Sequence, residues 1–428
     1  MSGTDSGKRL LILGAVFPES NSSAAGVRMM QLIELFASRS WDVVFASTSE
    51  KSIQSDSLEH LKVRCEVLKV NDSAFDIFLK ELDPEVVIFD RFYLEEQFSW
   101  RVMECCPNAL RIVDTEDLHG LRLSREEAYR KGMNWNERVL DHPTMKRELA
   151  SLWRSDLNLI ISDEEMKFLR TTFDFPEFLL SYLPIQVQLD LSTIQKTKFS
   201  ERKDFVFVGS FRHPPNRDAV RMLKENIWSK IRRELPEAKI HIYGSYADQK
   251  AKAFHNESEG FLVHGYVENL EEVMQESRVM LAPLNFGAGL KGKLLRAMEQ
   301  GLPSVTTSIG AEGIQGAFDW PGVVSNEPDE FVQSAIELYN SSEKWGEANR
   351  RIVPLLEDRF IKTDYSGIFL DQLEKTFQSL EEHRRKNYLG AILCQQRQLS
   401  TRYLSKYIET KQQLAQLTEQ DLSEDNRD

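Results

Sequence analysis

The sequence predicts an α/β protein built from two doubly wound, Rossmann-like parallel-sheet domains that face each other across a cleft. Two observations support this fold class: short apolar runs alternate with helical patterns, and the alternation begins again near the middle of the chain. Continuous apolar strands are typical of parallel sheets that helices cover on both faces. A chain of 428 residues is long enough for two or three domains of ordinary size.

The first half contains six apolar runs that predict strands, and residues 1–183 are assigned to an N-terminal domain. The runs span residues 10–15, 41–46, 63–70, 86–89, 110–113 and 157–161. The first run could be mistaken for the apolar part of a signal peptide. It is short and leads directly into Pro18 and Glu19, so a buried first strand is the better interpretation.

The second half repeats the pattern, and residues 205–370 are assigned to a C-terminal domain. The predicted strands span residues 205–208, 239–243, 261–263, 279–284 and 304–307. Apolar residues at helical spacing follow the first of these strands, at Val220, Leu223, Ile227 and Ile231. Residues 184–204 show little periodicity and are interpreted as the interdomain linker.

A helical extension is predicted at residues 371–418, followed by a polar, charged tail at residues 419–428 that we expect to be disordered. The apolar residues of the extension do not repeat as clean heptads, which argues against a coiled coil. The extension could pack on the first domain or pair with a second copy, so the sequence leaves the oligomeric state open.

The amino-acid composition excludes some classes of binding partner. The formal charge of −13 leaves no basic stripe for a polyanion, so no nucleic-acid partner is expected. The four cysteines form no paired framework and have no metal-ligand spacing, which favours reduced thiols in a cytoplasmic protein. No run approaches the roughly 20 apolar residues that span a bilayer. Any membrane contact is therefore expected to be peripheral, at the cytoplasmic face.

Residues 285–303 form the most informative segment of the chain. A predicted strand leads into a loop with Gly287 and Gly289, and the helix that follows ends before Gly301. Free backbone N–H groups at a helix start bind anions, and Lys291 is placed in the first turn. A lysine there opposes the helix dipole unless an anion lies between them. The segment predicts an anion site, and a glycine-rich turn with a solvated lysine is the alternative.

Several motifs resemble the GT-B glycosyltransferases of the retaining, family-4 type, the glycosyl transferases group 1. In the second half, the similarity extends over residues 207–314 and includes residues 208–217, 243–244, 264–266, 282–283, 285–303 and 307–313. In the first half, it includes residues 23–28, 113–119 and 147–156. Ligands of open parallel sheets bind beyond the carboxyl ends of the strands, so we expect the active site in the cleft between the two domains.

The resemblance implies a glycosyltransferase that moves a sugar from a UDP- or GDP-sugar to a hydroxyl of a glycan, a lipid-linked saccharide or a small molecule, with retention. The departing diphosphate develops negative charge that must be stabilised in place. Arg212, Lys291 and the helix amides could stabilise it without a metal, so no metal and no other cofactor is expected. The chain also has no Asp-x-Asp pair. A plain surface position is the alternative for Arg212.

The donor-site signature departs from the family pattern at two positions. The family has two glutamates eight positions apart, and this chain has Ala288 and Arg296 instead. Arg296 cannot accept the hydrogen bonds that the second glutamate takes from the donor ribose, and Glu299, three residues later, could partly compensate. Recognition of the sugar hydroxyls is then left to the backbone of Gly287, Ala288 and Gly289.

On the acceptor side, the resemblance places Gly26 next to the leaving phosphate, with Arg28 nearby, and an ordinary helix-start glycine is the alternative. Asp114, Asp117 and His119 follow a predicted strand, where this fold carries groups that orient an acceptor hydroxyl and share its proton. Asp117 and His119 are the candidate catalytic residues. Aspartate and histidine are also common in turns, so a structural role is their alternative.

Two other functions use the same scaffold. A sugar-nucleotide epimerase has the same paired-sheet cleft, but it needs a second set of acid and base groups and no separate acceptor. A non-catalytic protein that binds a sugar nucleotide is the third possibility, because the glutamate pair is absent.

Overall fold

The computed structural model describes residues 8–196 and 198–424 and confirms two parallel sheets covered by helices. The first sheet has seven strands in the order β3-β2-β1-β4-β5-β6-β7. Their bounds are β1 Arg9–Gly14, β2 Asp42–Ser47, β3 Arg64–Val67, β4 Val86–Asp90, β5 Leu110–Asp114, β6 Leu157–Ile160 and β7 Leu180–Tyr182. Every residue of β4, β5 and β6 is buried, as expected for central strands covered on both faces.

Helices connect these strands and cover both faces of the first sheet. They are α1 Ala24–Ala37, α2 Ala74–Leu82, α3 Phe92–Cys105, α4 His119–Lys131, α5 Asn136–Val139, α6 Pro143–Arg154 and α7 Asp163–Phe173. The linker contains one further short helix, α8 Leu191–Lys196.

The second sheet has six parallel strands in the order β10-β9-β8-β11-β12-β13. Their bounds are β8 Lys203–Val208, β9 Ile240–Tyr243, β10 Phe261–Gly265, β11 Ser277–Ala282, β12 Ser304–Thr306 and β13 Gly322–Val324. The helices of this domain are α9 Pro214–Met222, α10 Trp228–Glu234, α11 Gln249–Lys252, α12 Leu270–Glu276, α13 Gly292–Glu299, α14 Ser308–Ala311, α15 Pro328–Asn340, α16 Ser342–Arg350 and α17 Ile352–Leu356. A π-helical turn, Leu223–Ile227, joins α9 to α10 within the predicted helix.

The last three helices are α18 Tyr365–Gln378, α19 Leu380–Lys386 and α20 Tyr388–Glu424, and they return to the first domain. Phe369 and Leu373 of α18 are buried in the core of that domain, where Phe369 packs edge-on against Phe36. Helix α20 lies against α3 and α6. The extension therefore packs on the first domain of its own chain.

The structure differs from the sequence-based expectation at edge strands and at the C-terminus. Strands β7 and β13, which the sequence did not predict, are three residues long and too short to show a periodic pattern. Helix α20 continues to Glu424, into the tail expected to be disordered from residue 419, because its Gln, Leu and Glu residues favour helix. Residues 425–428 of that tail lie outside the described residues.

Candidate active site

In both sheets the strand order reverses next to the first strand of the domain. Ligands of open parallel sheets bind at such a reversal, beyond the carboxyl ends of the strands. In the first sheet β1 lies between β2 and β4, and in the second β8 lies between β9 and β11. Segments that follow the strands of the two sheets meet between the domains. A Cβ atom at Gly289, after β11, would lie 2.9 Å from Cβ of Asp117, after β5, and one at Gly292 would lie 2.6 Å from Cβ of Ala24. The candidate site lies in this interdomain cleft.

The glycine-rich loop is held by the first domain. Gly289 adopts a left-handed backbone conformation, with φ of 62°, and its amide donates a 2.8 Å hydrogen bond to the carboxylate of Glu165. The carbonyl oxygen of Gly287 accepts a 2.8 Å hydrogen bond from Arg125, and Ala288 is buried in the core of the first domain. In this conformation the amide of Gly289 is thus directed at a protein carboxylate.

Lys291 lies at the N-cap position before α13, one residue outside the helix. Its Nζ donates a 2.8 Å hydrogen bond to the carbonyl oxygen of Gly289 and lies 3.6 Å from the Glu312 carboxylate. Burial lowers the pKa of the Lys291 ammonium, and the carboxylate of Glu312 opposes that shift. Lys291 therefore ties the glycine-rich loop to Glu312.

Lys293 was not predicted as a site residue. It has the position in the helix that the sequence predicts for Lys291. It lies in the first turn of α13, and its Nζ is 4.5 Å from the centre of the Phe207 ring on β8. It donates a hydrogen bond to Oδ1 of Asn216, and a Cβ atom at Gly209 would lie 2.7 Å from Nζ. Among the described residues no carboxylate lies within 4.0 Å of its ammonium. Burial lowers the pKa of Lys293 to about 7.

Arg212 lies at the rim of the cleft, after β8. Its guanidinium is exposed and stacks 3.5 Å from the centre of the Tyr246 ring. The Tyr246 hydroxyl donates to the carboxylate of Glu19 in the loop after β1, at 2.9 Å. Arg212 is thus a cation next to a direct contact between the two domains.

Arg296 and Glu299, the two residues nearest the predicted ribose position in sequence, contact protein groups. Arg296 forms an ion pair with Glu271 of α12. Glu299, at the last position of α13, accepts a 2.8 Å hydrogen bond from the amide of Gln188 in the linker. This contact places Glu299 at the end of the helix that is remote from Lys293.

Gly26 is a buried packing position near the start of α1. Ser23 caps this helix by accepting a 3.0 Å hydrogen bond from the Gly26 amide. A Cβ atom at Gly26 would lie 2.3 Å from the backbone of Glu19, so only glycine fits without moving the loop after β1. Arg28, two residues later, is buried in an ion pair with Asp114 at 3.2 Å. Gly26 therefore shapes the loop after β1, and Arg28 links α1 to the end of β5.

We expect Gly26→Ala to lower the free energy of unfolding by about 1–3 kcal/mol, the usual cost of overpacking, as measured by urea denaturation. Gly346→Ala in α16 is the control, because the nearest heavy atom would lie 3.4 Å from the added Cβ. Alanine at that helical position should be neutral or slightly stabilising. A Gly26→Ala protein of unchanged stability with weakened nucleotide binding would instead support a phosphate contact.

Asp117, in the turn after β5, lies next to His119, the first residue of α4. Nε2 of His119 is 3.2 Å from Oδ1 of Asp117, and Oδ2 of the same carboxylate accepts a 2.6 Å hydrogen bond from Arg122. Burial lowers the pKa of His119 to about 4, although Asp117 opposes the shift. Arg122 and His119 hold the pKa of Asp117 well below its usual range despite its burial. At neutral pH the pair is therefore a neutral imidazole beside a carboxylate.

The backbone of this turn is fixed by a second carboxylate. Glu148 of α6 accepts hydrogen bonds from the amides of His119 and Gly120, at 2.9 and 2.8 Å. Burial raises the pKa of Glu148 to about 8. These bonds satisfy two of the free N–H groups at the start of α4 and hold the His119 backbone in place.

Part of the chain is similar to a known protein family. Residues 202–341 match the family model Glycosyl transferases group 1. No curated protein matches the sequence. The match covers the second sheet and the helix that carries Lys293.

Solved structures are similar over nearly the whole chain at low identity. Sucrose-phosphate synthase from Thermosynechococcus elongatus is 12% identical over 87% of this chain and 100% of that chain, with a TM-score of 0.66. HepE from Anabaena in complex with UDP and glucose is 10% identical over 85% and 99%, with a TM-score of 0.64. WaaG, a glycosyltransferase involved in lipopolysaccharide biosynthesis, is 12% identical over 82% and 96%, with a TM-score of 0.58. The chain therefore has the two-domain GT-B fold of these glycosyltransferase structures, and residues 202–341 are similar to the Glycosyl transferases group 1 family.

Proposed function

We propose that the protein transfers a sugar from a nucleoside diphosphate sugar to an acceptor hydroxyl in the interdomain cleft. One observation carries the proposal: Lys293 is a half-buried lysine at the start of α13, with no carboxylate within 4.0 Å in the described part of the chain. Burying a charge without an oppositely charged partner is unfavourable, and an anion bound at this position removes the penalty.

The surroundings of Lys293 fit a diphosphate. No side chain caps the start of α13. The Leu294 amide donates to the carbonyl oxygen of Lys291, which leaves the amides of Gly292 and Lys293 to an anion. Arg212 adds a second cation at the rim of the same cleft. We propose that these groups stabilise the departing diphosphate without a metal. HepE, one of the similar structures, was solved with UDP, which supports a uridine nucleotide as the first donor to test.

On the acceptor side we propose that His119 accepts the proton of the attacking hydroxyl. Its imidazole is neutral at pH 7, and Asp117 holds one ring nitrogen, which leaves the other free to accept a proton. Retention at the anomeric carbon, a glycan, lipid-linked or small acceptor and a cytoplasmic location belong to the same proposal.

A nucleotide panel tests the proposal. We expect UDP or GDP and the matching nucleotide sugars to raise the melting temperature, because a ligand of the native state stabilises it. The stabilising nucleotide sugar is then incubated with and without an acceptor. A transfer product that appears only with the acceptor supports the proposal. Conversion of the sugar without an acceptor would indicate an epimerase, and donor binding without turnover under any acceptor would indicate a non-catalytic protein.

The pKa of Lys293 predicts a pH dependence of donor binding. Only the ammonium form attracts the diphosphate, so affinity is complete below about pH 7 and falls as pH rises above it. We expect roughly a tenfold loss for each pH unit in that range, measured by calorimetry with a nucleotide sugar, which lacks a terminal phosphate that titrates near pH 6. Lys293→Arg should flatten the profile, because arginine stays charged. A flat profile for the wild-type protein would contradict this role.

A further inference from the structure

Helix α20 packs on the first domain along one side only. Ser405 is buried and donates a 2.9 Å hydrogen bond to Asn71, and it accepts one from Arg101 at 3.3 Å. Glu409, one turn later, accepts a 2.9 Å hydrogen bond from the amide of Ser73. Near the helix start, a Cβ atom at Gly390 would lie 2.2 Å from the carbonyl oxygen of Trp153. These contacts define the side of α20 that faces the protein.

The opposite side of α20 carries an exposed apolar surface, which we call the outer strip. Its members are apolar residues between 39 and 65% exposed: Leu389, Ile392, Tyr403, Leu404, Tyr407 and Leu414. At 3.6 residues per turn, Tyr403, Tyr407 and Leu414 lie on one line, across the helix from Ser405. The strip is about 37 Å long from end to end. Exposed Gln396 and Ser400 separate the two apolar residues near the helix start from Tyr403, Leu404 and Tyr407. Apolar side chains clustered on one exposed face mark interaction surfaces.

The part of α20 that carries the outer strip is locally basic, whereas the end of the helix carries Glu419, Asp421 and Glu424. Residues 388–418 contain four basic residues and one acidic residue, whereas the chain carries a formal charge of −13. The acidic residue, Glu409, faces the protein at Arg101. Lys406 and Lys411 are exposed beside the outer strip and have no carboxylate within 4.0 Å in the described ranges. The outer strip is therefore apolar, aromatic and locally basic.

We propose that the outer strip of α20 binds an anionic membrane surface, with the helix lying in the plane of the interface. Tyrosine suits this position because its ring is apolar and its hydroxyl stays in contact with water. Lysines flanking the strip extend toward anionic head groups while their alkyl chains cover apolar surface. In residues 8–196 and 198–424, none of the helices has the length and apolarity needed to cross a bilayer.

A second copy of the chain fits the strip less well. A pairing of two outer strips that brings Lys406 and Lys411 of both copies close together is unfavourable, because like charges repel each other across an interface. The membrane proposal goes beyond sugar transfer and does not depend on it, because α20 packs on the side of the first domain formed by α3 and α6.

Vesicle sedimentation of the full chain tests the proposal. We expect the protein to sediment with vesicles of phosphatidylcholine plus phosphatidylglycerol, and much less with phosphatidylcholine alone. Because each basic residue near such a surface contributes about a fivefold gain in binding, Lys406→Gln combined with Lys411→Gln should weaken sedimentation about 30-fold. Lys250→Gln combined with Lys252→Gln removes the same charge from exposed positions in the second domain and should have little effect.

Tyr403→Ser combined with Tyr407→Ser should abolish sedimentation at an unchanged melting temperature, which shows that the fold is intact. Nucleotide binding should be the same in all variants. A failure of the membrane proposal can therefore be distinguished from a failure of the sugar-transfer proposal. Absence of wild-type sedimentation with either vesicle would overturn the membrane proposal. A wild-type dimer in light scattering that becomes monomeric in the tyrosine variant, without vesicle binding, would assign the strip to a second copy and also overturn it.

Discussion

Lys293→Ala should weaken binding of the donor nucleotide by about 1.5–3 kcal/mol, roughly 10- to 150-fold, the usual value for a hydrogen bond to a charged group. The ammonium of Lys293 lies at the start of α13 without a carboxylate within 4.0 Å among the described residues, so the substitution removes attraction for the diphosphate and breaks no ion pair. Titration calorimetry with the best nucleotide of the panel measures the effect.

Lys291→Ala is the matched control for this prediction. It removes the same charge two residues earlier, but Lys291 is held by Gly289 and Glu312. We expect a smaller loss of nucleotide affinity than for Lys293→Ala. If Lys291→Ala had the larger effect, the anion would bind at the N-cap position, and the assignment to Lys293 would be wrong.

His119→Ala should lower kcat by about 100- to 10,000-fold, the range for loss of a general base, with little change in donor affinity. His119 lies in the first domain, whereas Lys293 and Arg212 belong to the second, so the two substitutions should separate turnover from donor binding. Steady-state kinetics with calorimetry on the same protein measures both quantities.

Asp117→Asn provides a second test of the same pair. It removes the charge that faces Nε2 of His119 while it keeps the size of the side chain. The pKa of His119 should fall further, and kcat should decrease less than in His119→Ala. A His119→Ala protein with normal kcat, or with kcat and donor affinity reduced equally, would place His119 in the scaffold or on the donor side.

Most of the fold could be predicted from the sequence because its central strands are continuous apolar runs. Strands β4 and β11 illustrate this, since each predicted segment agrees with the structure to within two residues. Strands β7 and β13 could not be predicted in this way, because three residues at a sheet edge are not enough to define a pattern. Their positions depend on pairing with β6 and β12.

The site was harder to predict than the fold because its contacts join residues remote in sequence. The hydrogen bond from Gly289 to Glu165 links the two domains, and no local pattern indicates it. The sequence predicts Lys291 in the first turn of the helix, opposed to the helix dipole. In the structure α13 begins at Gly292, and the first-turn lysine is Lys293. A difference of one or two residues in the helix boundary therefore changes the candidate anion ligand from Lys291 to Lys293.

The most direct test of the central claim is a crystal structure of the full chain with the nucleoside diphosphate that stabilises it most. We predict that diphosphate oxygens lie within hydrogen-bond distance of Lys293 Nζ and of the first amides of α13, in the cleft between the two sheets. A diphosphate bound elsewhere on the protein, or a cleft that stays without nucleotide at saturating concentration, would contradict the claim.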